Sequence, residues 1–438
     1  MRRLVLIAGT ALALALTGCQ TNRATYKGAF DQAGQRNEPK IAAEEKPPKP
    51  IAAVLSDRAD QATETASLED YKLEDLDPGQ RPDLASDEGG LWLTMDRAEE
   101  RLKTSGRLVK DPALNAYVRD LTCRLAGPYC KDIRVYILRV PYFNASMAPN
   151  GAMQVWTGAL LRVQNEAQLA TILSHEIGHY LRRHSLQRYR AIINQSGALL
   201  VFQLATAVAG APIAGDVAAL AILANLQSFN RDQEREADGY GLHLMYEQNY
   251  DPNEAHKIWD RLIAEVEATK DEDRKKRDPF FASHPPSEER RDALKKFAAK
   301  IADDQHRVVG RDRYAAAIAP YLARFLEDDV KLHEFDRSKA LLDMLATDGT
   351  DGGLVDFFKG ELHRLRNQDD DLEAALADYQ KALSDGNPPA DVYHSMGIVL
   401  RKLNRHDEAK RAFATYLQRR PNAEDAEFIQ YYIDGDKS

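Results

Sequence analysis

Cysteine is scarce in this chain, with three residues in 438, at positions 19, 123 and 130. Long basic tracts are missing too, and the formal charge is -9. A nucleic-acid partner, whose phosphates require a clustered Lys/Arg face, is thereby excluded. The N-terminal uncharged run, Leu4 to Leu16, is too short for a permanent membrane helix and follows Arg2 and Arg3, the build of a signal-peptide core. What the chain does have is size: 438 residues at 44% hydrophobic can bury more than one core, so two folded units plus linkers are expected.

Export is the first expectation. Residues 1–18 read as a signal peptide, and Leu16-Thr17-Gly18-Cys19 resembles the lipobox of bacterial lipoproteins, which implies cleavage before Cys19 and acylation of that residue as the membrane anchor. Gln20 in place of Asp resembles the outer-membrane sorting pattern, so the expected address is the periplasmic side of the envelope, lipid-anchored at the outer membrane. Cys123 and Cys130 are then a close pair in an oxidising compartment, and a local disulfide that pins a loop is expected. Residues 19–89 are rich in Lys, Glu, Asp, Ala and Pro, including "EEKPPKP", the composition of a disordered tether.

Globular patterning begins at Leu91 and defines a unit over residues 90–300. "TMDRAEERLKTSG" and "DPALNAYVRDLTCRLAG" carry apolar residues at helical spacing. "DIRVYILRV" and "GAMQVWTGALL" read as strands of a small sheet, separated by the turn-prone "PYFNASMAPNG". Next comes "TILSHEIGHYLRRH", on a helix opened by Asn165 with Gln168 completing a capping box. Four residues separate His175 from His179, which puts both imidazoles on one helical face with Glu176 beside them. That is the H-E-x-x-H arrangement of a zinc clamp with an adjacent base, or else a histidine pair on an amphipathic helix. Only a third ligand decides between the two.

Arg182 and Ser185 stand where a metzincin would place Gly and His, which excludes that class. In "NRDQEREADGYGLHLM", Glu234 and Asp238 lie one turn apart on a shared face. Glu234 can close a zinc site, Asp238 can accept from a ligand imidazole, and Glu236 falls off that face as a structural residue. "HEIGH" followed by "EREAD", with "NASMAPNG" before them and "HPPSEER" after, resembles the HtpX/BepA family of gluzincin metallopeptidases over residues 91 to 300. The resemblance implies one zinc ion per chain held by His175, His179 and Glu234, with Glu176 as general base. It also implies that His284 either steadies the oxyanion or occupies zinc's open position as a switch, and that Arg290 is a structural support near the site.

Residues 191–229 hold one charged residue, Asp216, and break at Gly210, Pro212 and Gly215, which reads as a helical hairpin, either packed over the active-site cleft or serving as a lid that touches membrane or gates substrate. From 305 to 438 the pattern changes: Ala375, Tyr379 and Ala382 align with Ala409, Phe413 and Tyr416 at a spacing of 34 residues. This resembles tetratricopeptide repeats, with residues 313 to 347 expected to add another helical pair, and such stacks recruit protein segments on a concave face. The expected fold is thus α+β and mostly helical, a zinc metallopeptidase domain with a small sheet followed by an all-α repeat domain. The expected function is hydrolysis of peptide bonds in misfolded or misassembled envelope proteins, with the repeats engaging substrate or an envelope assembly-machinery partner. The competing reading is a periplasmic chaperone or assembly factor with a latent site.

Overall fold

A computed structural model describes residues 77–196, 229–269, 288–301 and 306–435, residues 191–196 by their backbone. The signal peptide, Cys19, most of the tether, most of the apolar segment at 191–229, and His284 lie outside the described residues.

Helix α1 (Asp87–Lys103) starts four residues before Leu91, inside the stretch read as tether. Ser86 caps it by accepting from the Gly89 amide, and acidic residues open it while basic ones close it, as the helix dipole favours. Tertiary partners fix this early start, since Arg190 binds Asp87 and Arg183 binds Glu88. Asp111 caps α2 (Pro112–Ala126), with Pro112 at the first turn. A 3-10 turn over Gly127–Asp132 follows, joined back to the helix by the Cys123–Cys130 disulfide.

Three strands form the sheet: β1 (Arg134–Leu138), β2 (Ala145–Met147) and β3 (Ala152–Trp156), in the order β1-β3-β2. β1 pairs parallel with β3, Arg134 opposite Ala152, and β2 pairs antiparallel with β3, Ala145 opposite Val155. β2 lies within the segment read as a turn, because three residues are too few to show an alternating pattern. "GAMQVWTGALL" is a strand only to Trp156. There the Thr157 hydroxyl and the Gly158 amide both donate to the Val140 carbonyl, turning the chain into α3 (Thr157–Arg162).

Helix α4 (Glu166–Leu181) carries the H-E-x-x-H motif and is buried along its whole length, so it is not the half-solvated amphipathic helix of the alternative reading. Asn165 caps it, but the capping box does not close: Gln168 accepts from the Gln164 amide instead. Buried Glu254 imposes this by accepting from the side-chain amides of both Asn165 and Gln168. Around α4 pack α2 and α6 (Arg231–Glu247), with α5 (His184–Ser196) following it and α7 (Glu254–Glu267) and α8 (Glu288–Ile301) completing the layer.

Seven further helices follow: α9 (Arg311–Val330), α10 (Phe335–Thr347), α11 (Gly352–Arg366), α12 (Asp371–Asp385), α13 (Asp391–Lys402), α14 (His406–Arg419) and α15 (Ala426–Asp434). α11 pairs with α12 and α13 with α14. The 34-residue alignment falls on matching buried positions, with Tyr379 packed against Gly360 and Phe413 against Gly397 so closely that an added Cβ would lie 2.4 and 2.5 Å from the rings. One apolar core runs from α2 and the sheet through α4 to these helices. Where they seat, buried Arg162 donates to Glu265 at 2.8 Å and Asp329 at 2.7 Å, Arg337 donates to Glu265 at 2.8 Å, and Ser338 donates to Asp329 at 2.7 Å. Among the described residues no helix is long and apolar enough to cross a membrane.

Candidate metal centre

Helices α4 and α6 cross closely because both are notched at the contact. A Cβ on Gly241 would stand 2.9 Å from the His175 amide nitrogen, and one on Gly178 would stand 3.1 Å from the Ala237 carbonyl oxygen. α6 is held at its start by a capping box in which Asn230 and Gln233 satisfy each other's backbone. The crossing brings Glu234 to the histidines. His175 Nε2 and His179 Nε2 stand 3.0 Å apart, and the Glu234 oxygens lie 3.6 Å from the first and 3.5 Å from the second.

One ligand atom from each of these three residues fits within 4.8 Å of the others, and all three residues are buried. Lone pairs of two imidazoles pointed at a carboxylate repel one another until a cation lies between them. Charge points the same way, since Glu176, Glu234 and Asp238 gather around the Arg290 guanidinium and leave a formal charge of two minus. The residues therefore fit a divalent metal ion, and two imidazoles with one carboxylate are a donor set of zinc hydrolases. Glu176 is 1% exposed and acts electrostatically on Arg290.

Each imidazole is supported from behind. His175 Nδ1 donates to Asp238 at 2.9 Å. Arg290, from α8, grips Asp238 with two bonds of 2.7 and 2.8 Å, reaches Glu234 at 2.5 Å, and stacks 4.4 Å over the Trp259 ring. Burial would raise the Asp238 carboxyl, but the Arg290 charge and the His175 bond outweigh it and hold the group below the usual carboxylate range. Asp238 and Arg290 thus meet at the site where the sequence put them.

Behind His179 stands a residue that the motif reading passed over. His184 is fully buried, its Nδ1 lies 2.8 Å from His179 Nδ1, and its Nε2 lies 3.0 Å from Glu236. Glu236, on the other face of α6, also accepts from Arg182 Nε at 2.5 Å. Burial would raise Glu236, yet the His184 bond and the Arg182 charge keep it low. Phe229 stacks on His179 with centroids 3.9 Å apart. Burial pushes His179 well below the ordinary imidazole range, and His184 down too, so both rings are neutral. The one hint in the sequence was the third histidine of "TILSHEIGHYLRRH", five residues past His179 and outside the H-E-x-x-H spacing.

A His-His-Glu cluster on two crossing helices, with a glutamate following the first histidine, defines a metallopeptidase domain of the H-E-x-x-H type. Residues 108–298 match Peptidase family M48. The Beta-barrel assembly-enhancing protease of Escherichia coli (strain K12) is 31% identical over 176 residues, 37% of this chain and 35% of that relative. A Vibrio cholerae protein provisionally given the same name is 27% identical over 297 residues, 61% of this chain and 57% of its own length. The Mitochondrial metalloendopeptidase OMA1 of Schizosaccharomyces pombe is 32% identical over 131 residues, 30% of this chain and 37% of its own length. The chain thus spans less than two thirds of each of these relatives.

Proposed function

We propose that this protein is a zinc-dependent metalloendopeptidase that cleaves misfolded or misassembled proteins of the cell envelope. The convergence of His175, His179 and Glu234 beside Glu176 carries the reading. His175, His179 and Glu234 would hold the ion. The chemistry a bound zinc supplies is Lewis acidity toward the scissile carbonyl and the adjacent water. Glu176 takes the proton from that water and passes it to the leaving amine. Asp238 and Arg290 fix the His175 ring, and Arg290 also steadies Glu234. His284, just before the helix that carries Arg290, either donates to the developing oxyanion or closes the open metal position at rest.

Substrate enters as an extended strand along β2, one of the two edge strands of the sheet, which makes recognition backbone-driven and tolerant of sequence. Such tolerance suits quality control, and the Escherichia coli relative is by name a beta-barrel assembly-enhancing protease. The lipidated Cys19 tethers the enzyme to the periplasmic face of the outer membrane. The paired helices after residue 305 act as tetratricopeptide-like repeats that recruit substrate or an envelope assembly partner.

The test is cleavage of an unfolded protein by the purified full chain, compared with Glu176→Gln at equal measured zinc content. The wild type is expected to cleave, and the variant to lose about 10²–10⁴-fold in rate, the usual contribution of a general base. Zinc-loaded wild type that cleaves nothing, and is not released by His284→Ala, would overturn the peptidase reading in favour of an assembly factor. Within the same assay, His284→Ala raises the rate if this residue closes the metal position and lowers it if it serves the oxyanion.

A further inference from the structure

We infer that His184 is a positioning residue for the metal centre: with Glu236 and Arg182 behind it, it fixes the tautomer and the ring orientation of His179. The inference rests on the zinc reading above and assigns a function to a buried histidine and an off-face glutamate that the ligand set does not use.

Proton bookkeeping admits one arrangement. His179 Nε2 is the atom that faces His175 and Glu234, at 3.0 and 3.5 Å, so it must offer a lone pair to bind a metal. The single proton of a neutral ring then sits on Nδ1, which lies 2.8 Å from His184 Nδ1. His184 Nδ1 must accept, which places the His184 proton on Nε2, 3.0 Å from the Glu236 carboxylate. Glu236 can only accept, and its second oxygen takes the Arg182 N–H at 2.5 Å. Each donor in this chain meets an acceptor, and the order starts from the end that cannot change, a guanidinium on a carboxylate. With the opposite tautomer of His184, two N–H groups would collide at His179, and a lone pair would face the carboxylate.

A histidine filling a core gap would need neither bond, yet His184 uses both ring nitrogens at full burial, and Phe229 stacks on the ring it supports. The asymmetry with His175 is also informative. That ring reaches its carboxylate directly, at 2.9 Å. Glu236 projects from a different face of α6 than Glu234 and Asp238, and an imidazole bridges its carboxylate to His179.

The test is the zinc dissociation constant of the purified full chain, by competition with a chromophoric chelator, beside the unfolding temperature of the metal-free protein. His184→Leu keeps most of the volume and removes the acceptor. It is expected to weaken zinc binding about 10–100-fold, the range for lost outer partners of metal ligands. His184→Asn places Oδ1 near the former Nδ1 and is expected to restore most of that affinity. Zinc affinity unchanged in His184→Leu, or lost equally in His184→Asn with the metal-free unfolding temperature intact, overturns the inference. Were the wild type itself to bind no zinc, the reading of the metal centre would fall first, which separates the two failures.

Discussion

At the seat of the helical repeats, Arg162 and Arg337 meet Glu265 and Asp329; at the metal centre, Glu176, Glu234 and Asp238 gather around Arg290. Both clusters are built from the same residue types and are buried, Asp238 alone keeping partial exposure. The first balances its charges within itself. The second carries surplus negative charge and points two imidazoles inward. Burial of charge is therefore not by itself a mark of function, because a buried ion pair with good bonds is a structural solution as well. The mark is imbalance that a ligand can cancel.

Breaking the balanced cluster gives the largest effect on folding. Glu265→Ala leaves two buried guanidinium groups short of their shared carboxylate and is expected to cost about 3–5 kcal/mol in denaturant titration. Acid acts on the same bond. Burial would raise the Glu265 carboxyl, but the charges of Arg162 and Arg337 hold it below its ordinary 4.5. A depressed carboxylate stabilises the fold fully above that ordinary value, and its contribution is lost as pH falls toward the folded one. The wild-type unfolding temperature should thus fall below about pH 4.5, and less steeply in Glu265→Gln.

At the imbalanced cluster the sign reverses. Zinc at one hundred times its dissociation constant should stabilise the wild type by about 2.7 kcal/mol, read as a shift of the unfolding temperature that a chelator removes. Glu234→Gln should abolish that shift while changing metal-free stability by less than about 1 kcal/mol, since it removes surplus negative charge and leaves the Arg290 bonds to Asp238 in place. A metal-free Glu234→Gln as unstable as Glu265→Ala would erase the distinction between the clusters.

A last variant sharpens how the centre is held open to a metal. Gly241→Ala drives a methyl against the His175 backbone at 2.9 Å and should cost about 1–3 kcal/mol through overpacking. It should also weaken zinc binding, because it pushes apart the helices that carry His175 and Glu234. Chelator competition on this variant checks it.

Local spacing made part of the site legible. His175 and His179 share a face because four residues make about one helical turn, and Glu234 and Asp238 share one on α6 for the same reason. Both pairs appear in the structure on those faces. The segment around β2 was misread because its three residues owe their conformation to pairing with β3 rather than to any pattern of their own. The strand reading of "GAMQVWTGALL" overshot because the Val140 carbonyl, distant in sequence, takes the two hydrogen bonds that start α3. His184, which the motif reading passed over, and Glu236, read only as structural, sit 52 positions apart.

By itself the sequence determined the helix faces, the H-E-x-x-H donors and the recurrence of Ala375, Tyr379 and Ala382 at Ala409, Phe413 and Tyr416. A helical period acts on neighbours along the chain, and so it can be read from the chain. Tertiary structure alone decided that Glu236 reaches His179 through His184, that Arg290 serves Asp238 and Glu234 together, and that Arg162 joins Glu265 to Asp329. Those contacts depend on how closely α4, α6, α8 and the later helices pack. Packing is set by the shapes of whole side-chain surfaces, which no spacing along the chain encodes.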